Sequence, residues 1–150
     1  MTTNTIPAVD LVAARNRNEA TWSRSSKLLY AGDIEAFVEC WTEDCRYEAA
    51  LPVPGMPPVL TGHETLRAAF NGLVAQARSI AVHDVLFHQT VDPAVAVIEE
   101  RMVAEFLDGD KYENRLIIRA TFRDDRIAEL VEYYGQFAHQ DLLRKLGFTS

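Results

Sequence analysis

Apolar residues recur at three- and four-residue steps through the first half of the chain and at every second position through the rest, which predicts helices followed by strands. A first helix is expected from about Asp10 to Tyr30, stopped at Ala31-Gly32. Asp33 then caps a short second helix in which Ile34, Phe37, Val38 and Trp41 share a side, with Thr42-Glu43-Asp44 ending it. Cys45 to Ala50 reads as a strand and Leu51 to Pro58 as a loop held in extended conformations. Thr61 to Glu64 reads as a capping box, a Thr N-cap with a Glu three residues on, opening a third helix with Leu66, Ala69, Phe70, Leu73 and Val74 on one side. Strands are expected at Ile80–Thr90, Ala94–Leu107, Tyr112–Arg123 and Arg126–Gln136, turned by Asp92-Pro93, Asp108-Gly109-Asp110 and Asp124-Asp125. A last helix, Ala138–Leu146, closes at Gly147. This order is α+β, with helices on one face of a curved antiparallel sheet whose neighbouring strands pair in sequence.

Side-chain parity along the strands marks candidate chemistry, because residues two apart share a face. On the last strand Ala128, Leu130, Glu132 and Tyr134 share one side, so Glu132 sits among apolar and aromatic neighbours. A carboxylate there is either a functional acid or base with a raised pKa or one half of a structural ion pair. On the strand from Ala94, the set Val95, Val97, Glu99, Arg101, Val103, Glu105 opposes the set Ala96, Ile98, Glu100, Met102, Ala104, Phe106. Arg101 is the candidate partner that would hold Glu132 ionised; the alternative puts its whole set on a solvated or dimer-facing surface. Tyr112 and Asn114 fall at the mouth of the apolar face of their strand, as hydrogen-bonding groups for a ligand. The Tyr47 phenol is a candidate for a substrate oxygen or simply packs in the core. Trp41, Phe70, Tyr134 and His88 complete the expected substrate-binding set. His83 and His88 are five residues apart and so point to opposite faces; no histidine pair has metal-ligand geometry, and no metal site is expected.

Composition narrows the function classes. With 150 residues the chain fits one domain, expected over 1–150, and can bury a core. Its 15 Lys and Arg against 22 Asp and Glu, a net charge of -7, leave no basic stripe for nucleic acid. No apolar run approaches a membrane span, and the first ten residues lack a signal-peptide pattern. Two cysteines, Cys40 and Cys45, form neither a metal motif nor a disulfide framework, so the reading is cytoplasmic. Phosphate-binding, dinucleotide and nucleophile-elbow motifs are missing, which points to side-chain acid and base chemistry without a cofactor.

The run from Ala31 to Phe37, the Thr61-Gly62-His63-Glu64 helix start, Tyr112-x-Asn114 and Asp124-Asp125-Arg126-Ile127 together resemble the SnoaL-like branch of the nuclear-transport-factor-2-like superfamily. The resemblance implies a cone-shaped, cystatin-like barrel: a curved sheet wrapped round N-terminal helices, with an internal apolar pocket and a homodimeric assembly. Against ketosteroid isomerases the three functional positions fall on Ala49, Ser25 and Ile118, so nothing of that site survives. Against limonene-epoxide-hydrolase-like enzymes, Tyr47, Arg101 and Glu132 match, while an Asn and a second Asp fall on Ala49 and Val103. The phenazine-biosynthesis A/B family is similar through Gln89–Pro93, Tyr112-Glu113-Asn114, Glu132-Tyr133 and Leu143–Phe148, with its acid/base Glu on Glu132 and its pocket histidine on Ala69.

These expectations converge on an acid/base enzyme for a hydrophobic small molecule, a cyclase, isomerase or condensation catalyst of bacterial secondary metabolism. Glu132 would move the proton, Arg101 would orient it, and Tyr47 and Asn114 would hold substrate oxygens. Epoxide opening is the alternative reaction, with Glu99 or Glu48 standing in for the missing acid, and a non-catalytic binding or assembly module is the alternative role.

Overall fold

The computed structural model describes residues 8–147. Helix α1 (Ala8–Tyr30) ends where Gly32 adopts φ +79°, a left-handed turn that a side chain would strain. The Gly32 and Asp33 amides donate back to the Leu29 and Leu28 carbonyls, which closes the helix and hands the chain to α2 (Ile34–Glu39). Asp33 caps α2 as expected, its carboxylate accepting from the Ala36 amide. Trp41, however, leaves the helix: it opens β1 (Trp41–Ala49), and Thr42-Glu43-Asp44 belongs to that strand rather than terminating a helix.

A short strand unforeseen from the sequence, β2 (Val59–Thr61), ends the Pro-rich loop and pairs antiparallel with β1. Thr61 is therefore the end of a strand and not an N-cap. Gly62, at φ +81°, precedes α3 (His63–Gln76) without a side-chain cap, so the capping-box reading is wrong. The His63 ring instead lies 2.9 Å from the Trp41 carbonyl and ties the helix start to β1.

From α3 the chain runs into a meander, β3 (Ala77–Gln89), β4 (Val95–Phe106), β5 (Lys111–Arg123) and β6 (Arg126–Tyr134), followed by α4 (Gln136–Lys145). The Asp124-Asp125 turn has positive φ at both residues, the backbone that a two-residue hairpin needs to match strand twist. The sheet order is β2-β1-β6-β5-β4-β3. Strand β1 pairs with its sequence neighbour β2 on one side but lies parallel to β6 on the other, so the expected purely antiparallel sheet is in fact mixed. The sheet curves round the helices but remains open, with β2 and β3 as edges, so the cone is not a closed barrel.

The main core lies between the sheet's inner face and α1, α2 and α3, centred on Trp41, Val38, Leu66, Ile98 and Ile127. Helix α1 is tied to the hairpin ends: Asn18 donates to the Pro93 carbonyl at 2.7 Å and Thr21 to that of Asp125. Bulges in β6 and β3 alter strand parity. In β6, Glu129 pairs with Thr121 but Ile127 with Phe122, so Ile127 joins Leu130 on the inner face. In β3 an extra residue between His83 and Leu86, with Asp84 at φ +57°, turns His83 and His88 onto the same outer face, against the expectation that they oppose.

Candidate active-site cavity

Inward-facing residues of β1, β4, β5 and β6 and the inner sides of the four helices enclose a cavity of about 170 Å³. An apolar cavity of about 150 Å³ already holds benzene, so this one takes a small ring system. Its walls are aromatic and aliphatic: Trp22 from α1, Phe37 from α2, Trp41 and Tyr47 from β1, Phe70 from α3, Leu116 and Ile118 from β5. Trp41, Phe70 and Tyr112 from the expected binding set lie on this lining.

Glu132 points into the cavity from β6 and is only 8% exposed. The Tyr47 hydroxyl donates to its Oε2. Burial raises the Glu132 pKa to about 7, and the Tyr47 hydrogen bond, which favours the ionised form, opposes that rise. The Tyr47 phenol is pushed well up, first by burial and then by the negative charge it faces, so it stays a proton donor.

Arg101 does not join them. It lies on the outer face of β4, its Nε 3.1 Å from Asp84 and its Nη1 3.3 Å from Glu113. The expected guanidinium–Glu132 pair is thus corrected: the even-numbered set of β4 faces the core, and Arg101 belongs to the odd one. His88 is corrected likewise, exposed on the outer face 2.6 Å from Glu99. Glu48 pairs with Arg46 at 3.3 Å, so neither Glu99 nor Glu48 supplies the second acid that epoxide opening would require.

Asn114 is buried but does not face a ligand. Its Nδ2 donates to the Tyr112 hydroxyl and the Gly135 carbonyl, and its Oδ1 accepts from the Gly135 amide, each at 2.9 Å. Asn114 thereby fixes the entry to α4 and orients Tyr112, instead of binding substrate oxygen as expected. A Cβ on Gly135 would come within 2.8 Å of Asn114 Oδ1, so glycine suits this close approach. Tyr134 lies behind the cavity against the Pro loop, stacked on His139 at 3.8 Å; burial raises its pKa to about 12.

The sequence reading passed over three lining residues. Glu100 enters from β4, 6% exposed, with its Oε2 lacking a hydrogen-bond partner among the described residues. Burial, and then the charge of Glu132, raise its pKa to about 7. Its signal was present in the parity, since Ala96, Ile98, Met102, Ala104 and Phe106 are the more apolar set. Tyr30 and His139 also line the cavity; burial drives the Tyr30 pKa upward and lowers that of His139 to about 4, leaving both neutral. Among the described residues no Lys or Arg is on the lining. Among the described residues no three His, Cys, Asp or Glu side chains gather as a metal site, and no helix is long and apolar enough to cross a membrane.

Residues 22–130 match the family model of the SnoaL-like domain. No curated protein matches the chain by sequence. A phenazine biosynthesis-related protein from Pseudomonas aeruginosa superposes with a TM-score of 0.76 at 18% identity, covering 96% of this chain and 94% of that one. The BvnE pinacolase from Penicillium brevicompactum superposes with a TM-score of 0.74 at 19% identity, over 89% and 96% of the two chains. An NTF2-like protein from Anabaena variabilis, 20% identical, gives 0.66 over 89% and 96%. At these identities the likeness is one of fold.

Proposed function

The chain belongs to the SnoaL-like domain family, and on that premise we propose that it is a general acid–base enzyme for a hydrophobic small molecule, catalysing cyclisation, isomerisation or condensation, with Glu132 moving the proton. The observation that carries this reading is a buried carboxyl, its pKa raised to about 7, held by a phenol at the wall of a mostly apolar cavity. A carboxyl tuned in this way exchanges protons readily near neutrality. The BvnE pinacolase and the phenazine biosynthesis-related protein, which share the fold, are consistent with small-molecule chemistry. Arg101 does not close an ion pair on Glu132, and open volume adjoins the carboxyl, so a purely structural charge pair is the weaker account.

The reaction class can be probed with a small ketone that fits the cavity. Wild-type protein is expected to accelerate exchange of the α-hydrogens of 2-tetralone with deuterium oxide, followed by proton NMR. Glu132→Gln, nearly isosteric, is expected to lower that rate by about 10²–10⁴-fold, the usual contribution of one positioned acid or base. Full exchange in Glu132→Gln would sink the assignment.

A further inference from the structure

We propose that Glu100 is a second acid–base group of this cavity, working with Glu132 from two strands away on the same sheet face to move a proton across an uncharged, carbonyl-bearing ligand. The proposal rests on the reading of Glu132 above and adds a residue and a ligand class to it. Three observations carry it. First, position: Glu100 pairs in register with Leu116, and Glu132 with Ile118, so the two carboxyls flank an apolar floor contributed by β5. Their strands are two sheet spacings apart, about 10 Å, which a one- or two-ring ligand spans.

Second, the two carboxyls differ in partners. Glu132 accepts from Tyr47, whereas Glu100 Oε2, in a side chain more than nine-tenths buried, has no donor among the described residues. A donor stabilises the ionised form, so the negative charge settles on Glu132 and the proton on Glu100. Third, nothing else among the described lining residues competes for charge. Among the described residues the titratable groups facing the pair are Tyr30 from α1, Tyr47 from β1, Tyr112 from β5, Tyr134 from β6 and His139 from α4, and burial keeps every one of them neutral. An anionic ligand would meet the Glu132 charge with no cation to offset it, while a ketone meets a base on one side and an acid on the other.

The step balances without a further reactant. The Glu132 carboxylate removes an α-hydrogen as a proton, and the C–H pair becomes the carbon–carbon double bond of an enol. The carbonyl π pair moves onto oxygen, which takes the Glu100 proton. Return of a proton from Glu132 to a conjugate carbon, and of the enol proton to Glu100, gives the isomer and restores both groups.

The 2-tetralone exchange assay tests this on the full-length protein. Wild type is expected to show a bell-shaped pH profile, rising as Glu132 ionises and falling as Glu100 loses its proton. Glu100→Gln is expected to slow exchange by about 10²-fold, within the range for one acid or base, and to abolish the falling limb while keeping the rising one. Loss of exchange in Glu132→Gln with an unchanged rate and profile in Glu100→Gln overturns the role of Glu100 and leaves Glu132 standing. Exchange that survives Glu132→Gln removes the base itself, and a wild type no faster than buffer removes both. Should Glu100→Gln fail to fold, infrared spectra of the wild type decide: a protonated-carboxyl band persisting near neutrality and shifting on addition of 2-tetralone supports the pair, and its absence overturns it. In parallel, 2-naphthol is expected to raise the thermal midpoint and 2-naphthoate to leave it unchanged; equal stabilisation by both contradicts the ligand class.

Discussion

Glu99, Glu100 and Arg101 are consecutive on β4 and live in different chemistry. Glu99 and Arg101 stand on the outer face, where each has a polar partner: Glu99 the His88 ring, Arg101 the carboxylates of Asp84 and Glu113. Glu100 stands on the inner face with no charge partner, and its pKa rises to about 7. The difference is set by strand alternation alone. Outside, water screens ion pairs and each is worth little. Inside, the same carboxyl is desolvated and responds to every donor and charge around it. The inner face concentrates reactivity that the outer face dissipates.

The largest expected effect comes from removing that inner charge. Both carboxyls have folded pKa values raised from 4.5 to about 7, so the folded state holds protons that the unfolded chain has released. Their stabilising protonation is fully present below about pH 4.5 and is lost as pH rises through about 7. Each costs about 3 kcal/mol across that window, from about 1.4 kcal/mol per unit. His139 works the other way: its pKa falls from 6.5 to about 4, so its contribution appears as pH rises through that interval. Wild type should therefore lose stability between about pH 4.5 and 7, and the Glu100→Gln/Glu132→Gln double variant should gain it as His139 alone remains. Urea unfolding at several pH values measures both slopes; a wild-type slope of the opposite sign contradicts the inner-face picture.

Next in size is Asn114→Ala. It strands the Tyr112 hydroxyl in a buried site and frees the Gly135 amide and carbonyl, which lie on an exposed residue that water can reach. An unsatisfied buried group costs about 1–3 kcal/mol, and the space left by the Asn114 side chain adds to it, for an expected loss of about 2–4 kcal/mol in urea unfolding. An unchanged midpoint would mean that α4 is held by its apolar contacts alone.

Much of this was legible in advance. The turns at Asp92-Pro93, Asp108-Gly109 and Asp124-Asp125 set the meander because their backbone demands are local. Glu132 was legible because both its neighbours at two-residue spacing, Leu130 and Tyr134, are apolar and buried. What the sequence hid was non-local. The parallel pairing of β1 with β6 depends on contacts across more than eighty residues, and the short β2 is held by only three register pairs to β1. The bulge that carries Asp84 turns the outer row of β3, and no single residue type announces it. Arg101 misled because an arginine between valines suits either a buried carboxylate or a solvated sheet face, and only the more apolar composition of the alternate set discriminates. Asn114 was seen as polar on an apolar face, but its partner Gly135 lies twenty-one residues on and offers only backbone.

A smaller effect sharpens the inner face from within. Tyr47→Phe removes the hydroxyl that donates to Glu132 and keeps the ring that packs against Trp41 and Phe70. A hydrogen bond to a charged group contributes about 1.5–3 kcal/mol, or roughly 1–2 pKa units. The rising limb of the exchange profile should move to higher pH by about that much. A rising limb that stays put would show that Tyr47 does not set the Glu132 charge.

The smallest effect is expected one residue from Glu100. Arg101→Ala breaks two ion pairs, with Asp84 and Glu113, whose acidic side chains are each 63% exposed. Water replaces the guanidinium at both carboxylates, and salt already weakens such pairs in the wild type. The bulge at Asp84 retains its backbone pairing on either side, His83 with Arg101 and Leu86 with Glu99, and neither pairing needs the arginine side chain. Exchange of 2-tetralone and both limbs of its pH profile should therefore match the wild type. A loss comparable to that of Glu100→Gln would place the guanidinium's influence inside the cavity and dissolve the distinction between the two faces of β4.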